Sequence, residues 1–233
     1  MQIINILILL INSYCFFPLI FINTNAKEVI IKNDDNFPYL FDILNDYQIE
    51  NELILNFVDT YYNMELLNVY TLDVTMISNI SLIGNINGTI FDYGKKYKGT
   101  FQIIINKENT LKIQNIIFEN FYTQDVVHCI KINAKVPNFK IIISNCTLRN
   151  NDHSFFAFDL DYPQQVENDF HILFSNCNFY KNIGRIIETH HHEEYKYVDI
   201  YNSAVLKLNH CNFTDNHGVL YSHNSKFIVE NCM

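Results

Sequence analysis

The side chains whose types and spacing could do chemistry fall into a few groups. The densest is the run His190-His191-His192-Glu193-Glu194. On an extended strand His190, His192 and Glu194 would share one face, offering two imidazoles and a carboxylate to a metal ion. No second ligand pair sits at a recognised spacing, so a solvated polar loop is the favoured expectation, with no metal or cofactor. Asp159 and Asp161 alternate in the same way. Hydrolysis of a glycosidic bond needs two carboxylates facing it, which makes this pair a weak catalytic candidate. Only two arginines exist, Arg149 and Arg185, one repeat apart. Beyond Cys15, five cysteines remain, and none forms a C-x-x-C pair, which argues against a zinc site. Tyr122, Tyr162, Tyr180, Tyr195, Tyr197 and Tyr201 fall between the repeat motifs, where rings can stack on sugars or enter interfaces.

The elements that must position these groups are written in the composition. The chain has 233 residues, a formal net charge of −9 and no Trp. Only 16 residues are Lys or Arg, which argues against nucleic acid as a partner. There are 33 Asn and 34 Ile against 4 Ala. Few Ala disfavours an all-helical protein, because Ala is the best helix former. Asn, Ile, Lys, Tyr and Phe all have A/T-rich codons, so their abundance gains meaning only if they occupy particular positions.

Residues 1–26 carry no charged side chain, and Ala26 with Thr24 makes a small-residue cleavage site before Lys27. This reads as a secretory signal peptide. An uncleaved membrane anchor is the alternative, since about 20 apolar residues can span a bilayer. Four glycosylation sequons follow, at Asn79, Asn87, Asn145 and Asn212. A secreted or cell-surface location is therefore expected.

Asn and Ile do occupy particular positions. Five segments align without gaps, beginning at Leu111, Ile141, Ile172, Leu206 and Phe227, with a weaker copy at Thr75–Leu82. The first and third columns are apolar, as in Ile141 and Ile143 or Ile172 and Phe174. The fifth column is Asn79, Asn115, Asn145, Asn176, His210 and Asn231. The sixth is Ile80, Ile116, Cys146, Cys177, Cys211 and Cys232, and the eighth is Leu or Phe. Apolar residues two apart indicate strands. The copies recur about every 30 residues, so stacking them as coils buries the columns as continuous stacks. Asn tolerates the left-handed backbone region, so the fifth column marks a bend between strands, with a stacked amide ladder to satisfy its polar groups. The cysteine column admits either strained bridges between neighbouring rungs or a stack of buried thiols, and the stack is favoured.

The pattern apolar-x-apolar-x-Asn-Cys-x-Phe, with Asn again four or five residues after the sixth column (Asn120, Asn150, Asn182, Asn216), resembles the coils of right-handed parallel β-helix proteins of the pectin-lyase-like group, including repeat proteins of the polymorphic outer-membrane type. The resemblance covers about residues 70–233. It implies an all-β, single-stranded right-handed parallel β-helix over 71–233, with residues 27–70 as an N-terminal cap. Leu53–Val58 reads as a strand within that cap, and the C-terminal end is expected to be uncapped or truncated. Side loops are expected at Asn133–Asn138, Asp159–Asp169 and Glu188–Tyr197. Members of the group include polysaccharide hydrolases, and lyases in which an Arg or Lys base works beside clustered acidic calcium ligands. Neither Arg149 nor Arg185 sits in a lyase signature. The expectation is a non-catalytic binding, adhesion or structural module for glycans or cell-wall and surface components. A polysaccharide lyase or glycoside hydrolase of the same fold is the first alternative, and a membrane-anchored surface scaffold the second.

Overall fold

The structure is a computed structural model and describes residues 25–125, 127–161, 170–191, 204–222 and 225–233. Among the described residues it is all-β apart from one α-helix and two single 3-10 turns. Every strand pairing is parallel. The chain winds as a β-solenoid in which each full coil contributes one strand to each of three sheets.

The first sheet has eight strands, in the order β1 (Ala26–Ile31), β2 (Glu52–Phe57), β5 (Asn79–Gly84), β8 (Thr110–Gln114), β11 (Lys140–Ser144), β14 (Ile172–Ser175), β17 (Val205–Asn209) and β20 (Lys226–Glu230). The second comprises β3 (Tyr61–Asn63), β6 (Thr89–Lys96), β9 (Ile116–Phe121), β12 (Thr147–Arg149), β15 (Asn178–Tyr180) and β18 (Asn212–Thr214). The third comprises β4 (Thr71–Met76), β7 (Thr100–Ile105), β10 (Ile130–Ala134), β13 (Phe156–Leu160), β16 (Ile187–His191) and β19 (Leu220–Ser222).

The apolar columns become the core. Leu111, Ile141, Ile172 and Leu206 lie in register and are fully buried, as are Ile113, Ile143, Phe174 and Leu208 one step along. Aromatic rings run up the interior. Phe91 meets Phe118 edge-on at 5.8 Å, and Phe179 stacks on Phe213 at 4.7 Å. The cysteine column contains no bridge. Cys146, Cys177 and Cys211 are buried free thiols and Cys232 a half-buried one. Burial pushes the Cys146 thiol up to about 12, so it acts as small apolar filling.

The fifth column takes the left-handed backbone wherever the strong copies place it: φ is 58° at Asn115, 53° at Asn145, 52° at Asn176, 53° at His210 and 53° at Asn231. The stacked amides stand elsewhere. A second left-handed position follows five residues later, at Asn120, Asn150, Lys181 and Asp215. In the last three of these coils the next residue, Asn151, Asn182 or Asn216, forms the ladder. Asn151 Nδ2 donates to Asn182 Oδ1 at 3.1 Å, and Asn182 Nδ2 to Asn216 Oδ1 at 2.9 Å. Asn182 is fully buried. Each Oδ1 also accepts a backbone N–H from the preceding coil, at Phe121, Asn151 and Asn182, so these amides are satisfied away from water. Of the Asn residues four or five places after the sixth column, Asn120 and Asn150 are thus left-handed and Asn182 and Asn216 belong to the ladder.

Three expectations are corrected. The weak copy at Thr75–Leu82 is out of register: Ile80 and Leu82 align with Leu111 and Ile113, so Asn79 opens β5 and is no bend residue. Its side-chain Oδ1 instead accepts the Thr110 N–H at 2.8 Å. Gly84 ends β5 level with Asn115 but without a left-handed φ, and a Cβ there would collide with the Asn115 carbonyl oxygen. Second, the parallel ladder continues through residues 27–70 as β2 and β1, with Leu53, Leu55 and Phe57 buried, rather than starting at 71. Within that stretch helix α1 (Leu40–Asp46) buries Leu40, Ile43 and Leu44 and packs against β4. Third, the stretches read as side loops begin as strands of the third sheet, since Asn133, Asp159 and Glu188–His191 lie on β10, β13 and β16.

Two substitutions separate these roles. Asn182→Ala strips two buried hydrogen-bonding neighbours of their partners and is expected to destabilise by about 2–4 kcal/mol in urea unfolding. Asn145→Ala is expected to cost only ~1 kcal/mol for its left-handed backbone, and Asn145→Gly almost nothing.

Candidate functional site

The third sheet presents an outward face built by alternation. Phe156, Phe158 and Leu160 point into the core, so Ala157 and Asp159 face outward. Register then stacks Lys131, Ala157, Glu188 and Tyr221 in one outward column, and Asn133, Asp159 and His190 in the next. These side chains bond to one another. Lys131 Nζ lies 2.9 Å from Asp159 Oδ2, and His190 Nε2 lies 3.0 Å from Glu188 Oε2. Asn133 Nδ2 donates to Asp161 Oδ2 at 3.0 Å.

Arg185 reaches this face from the turn between the second and third sheets. That turn is tightly stacked: a Cβ at Gly184 (φ 103°) would come within 3.1 Å of the His153 backbone, and the Gly184 N–H bonds to the His217 carbonyl at 2.8 Å. The guanidinium lies over the Tyr221 ring at 4.1 Å and 4.0 Å from Glu188 Oε2. The Glu188 side chain is only 7% exposed, and its neighbour Ala157, also outward-facing, is fully buried. His128, just before β10, completes the group. Desolvation lowers its pKa most, Glu188 and Asp159 oppose this, and Lys131 and His190 add to it. The Nδ1 of His128 is buried without a hydrogen-bond partner.

Of the residues singled out from sequence, Asp159, Asp161, Arg185 and His190 therefore come together. Arg149 does not. It projects from the second sheet, where its Nη2 and Nε both contact Glu119 Oε2 at 2.5 Å. Beside them Asp92 accepts from Asn120 Nδ2, the Gly94 N–H and the Tyr61 hydroxyl, each at 2.9 Å. Desolvation would raise the Asp92 pKa, but these bonds and the Arg149 charge outweigh it and hold the carboxyl below its usual value. The two arginines thus serve different faces.

His192 and Glu194 lie outside the described residues, as do Tyr162, Tyr195, Tyr197 and Tyr201. Among the described residues no group of three or more His, Cys, Asp or Glu side chains is placed to hold a metal ion. None of the helices described is long and apolar enough to cross a membrane. At the sequons, Asn87, Asn145 and Asn212 are exposed and Asn79 is half-buried. Lys131, Glu188, His128 and Tyr221 escaped the sequence reading. The alternation Phe156-x-Phe158-x-Leu160, repeated as Ile130-x-Ile132-x-Ala134, was the signal that could have found their strands. Comparison with known proteins finds no family model, no curated protein and no solved structure that matches this chain.

The lowered pKa of His128 fixes a pH dependence. Above about pH 6.5, the ordinary histidine value, folded and unfolded chains are both neutral at this site. Below it the unfolded chain takes up a proton that the folded chain resists, so stability falls until the folded group also titrates. Unfolding midpoints measured from pH 7 to 5 should decline, and His128→Asn should flatten part of that decline. An unchanged slope in the variant would contradict this placement.

Proposed function

We propose that this chain is a β-helix repeat module, secreted or held at the cell surface, that binds glycans through the outward face of its third sheet. The observation that carries the reading is the register of that face. Lys131, Asp159, Glu188, His190, Arg185 and Tyr221 alternate donors, acceptors and an aromatic ring over consecutive rungs. Rungs repeat about every 4.8 Å, of the order of one sugar residue's length, so successive rungs can meet successive sugars. The Lys131–Asp159 ion pair and the His190–Glu188 hydrogen bond hold the side chains in place before a ligand arrives, which lowers the ordering cost of binding. The secretory reading rests on residues 1–26 and the sequons. Kinship with right-handed pectin-lyase-like helices rests on the sequence pattern.

One observation favours a second reading, polysaccharide cleavage on the same face. Asp159 and Glu188 are diagonal neighbours on adjacent strands, and His128 is close enough to feel both charges. Two carboxylates and an imidazole are the parts of an acid–base apparatus.

The two readings part in one experiment. The purified protein is incubated with immobilised cell-wall and surface glycans, and both retention and release of new chain ends are followed. Retention without release, weakened about tenfold by Lys131→Ala (~1.4 kcal/mol), is expected. Release of chain ends that disappears with Asp159→Asn would replace binding by catalysis.

A further inference from the structure

The cysteine column ends in a pair unlike the rest. Cys146, Cys177 and Cys211 are fully buried, and each Sγ lies 3.5–3.6 Å from a carbonyl oxygen of the preceding coil, at Ile113, Ile143 and Phe174. The first-sheet strands of these coils, β11, β14 and β17, each bond to a strand on either side, which holds the rungs at the ladder spacing of about 4.8 Å. Cβ atoms in register then stand about 1 Å beyond the separation that a disulfide prefers, and rungs clamped on both sides do not close that gap. Cys232 differs in both respects. Its side chain is half-buried rather than sealed. Its coil carries β20, which bonds to β17 alone among the described strands, so this rung can move towards its neighbour. Closing a bridge needs only one of the two rungs to move.

Cys211 and Cys232 already oppose each other. Asn209 pairs with Glu230, and the ladder continues two residues on, where the Met233 N–H donates to the Cys211 carbonyl at 3.0 Å. The Cys211 N–H donates to Cys232 Sγ at 3.3 Å, so that side chain leans onto the Cys211 backbone. The Cys211 thiol is also primed. A hydrogen bond from the Cys177 thiol, helped by the backbone and by the Cys232 thiol, outweighs desolvation and pulls it below the ordinary thiol value. A thiolate is the form that attacks a disulfide sulfur.

We propose that Cys211 and Cys232 are a redox pair, closed by an external small-molecule disulfide such as oxidised glutathione, and that the bridge latches β20 to the solenoid. Cys232, the reachable partner, attacks one sulfur of the external disulfide as its thiolate, forming a mixed disulfide and expelling one thiolate. Cys211 then attacks the Cys232 sulfur and expels the second. The two cysteine thiols lose two electrons and two protons, and the external disulfide is reduced to two thiols. A secreted location, as proposed above, is an oxidising one in which such a bridge persists. The pair itself is independent of the glycan reading.

The test is a peptide map of the purified full chain, reduced, desalted and incubated folded in a glutathione redox buffer before its remaining thiols are alkylated. Trypsin separates the column: Cys146 falls in 141–149, Cys177 in 150–181, Cys211 in 208–226 and Cys232 in 227–233. Peptides 208–226 and 227–233 are expected to be joined, with the mass of two hydrogens lost, while 141–149 and 150–181 are alkylated. Amide hydrogen exchange at residues 227–229 should slow about tenfold in the bridged form and recover with dithiothreitol. Cys232→Ser should show neither change, and Cys177→Ala should keep the bridge. The map of the unaltered chain decides the pairing whether or not a variant folds. Separate 208–226 and 227–233 peptides, glutathione left on Cys232, or a bridge to 150–181 would overturn the pair. A bridge without slowed exchange would overturn the latch.

Discussion

Everything in this structure depends on one requirement: each coil must bond its backbone to the coil above and below, in register, along the whole axis. A parallel rung satisfies its N–H and C=O groups only through its neighbours, so position along a coil is inherited from coil to coil. That is why residues with the same task stand in columns. It also explains the bends. From β8 to β17 the chain leaves the first sheet through a single left-handed residue whose N–H still bonds to the next coil, as Asn145 does to Ser175 and Asn176 to Asn209. Asn and His supply that conformation at modest cost, and a β-branched residue there would be strained.

The parts legible in the sequence were those that repeat with distinctive chemistry. Ile, Cys and Asn columns identified the first sheet, the bend and the second sheet, because apolar alternation and a recurrent Asn leave few other readings. The third sheet was missed. Its strands also alternate, but they bear Asn133, Asp159, Glu188 and His190 on their outward side and run into charged or aromatic stretches. Polarity there resembles a loop until the inward residues are counted alone. The recurrence of Asn120, Asn150, Asn182 and Asn216 was noticed without a task for each, since sequence spacing does not separate an Asn needed for its backbone from one needed for its amide. The Thr75 copy shows a register error, because Gly84 rather than Asn79 stands level with Asn115.

The outward faces follow from the same register. Arg149 with Glu119, directly opposite, and Lys131 with Asp159, diagonal, are each cross-rung pairs set by the ladder rather than by local sequence. Such exposed pairs add little stability on their own. Their effect is to hold charges at fixed intervals along the axis, whereas a bulge in β6 breaks the interval locally and opens a recess. Regular rungs and one irregular rung thus give the solenoid two unlike surfaces.

The spacing from bend to buried amide is the same in three successive coils: Asn145 to Asn151, Asn176 to Asn182 and His210 to Asn216 are each six residues. The amides themselves are 31 and then 34 residues apart. Length therefore changes only outside this six-residue segment. Descendants of such a gene could lengthen or shorten the outer loops, or duplicate whole coils, without disturbing the interior, while a single codon gained between Asn176 and Asn182 would break the frame of the stack.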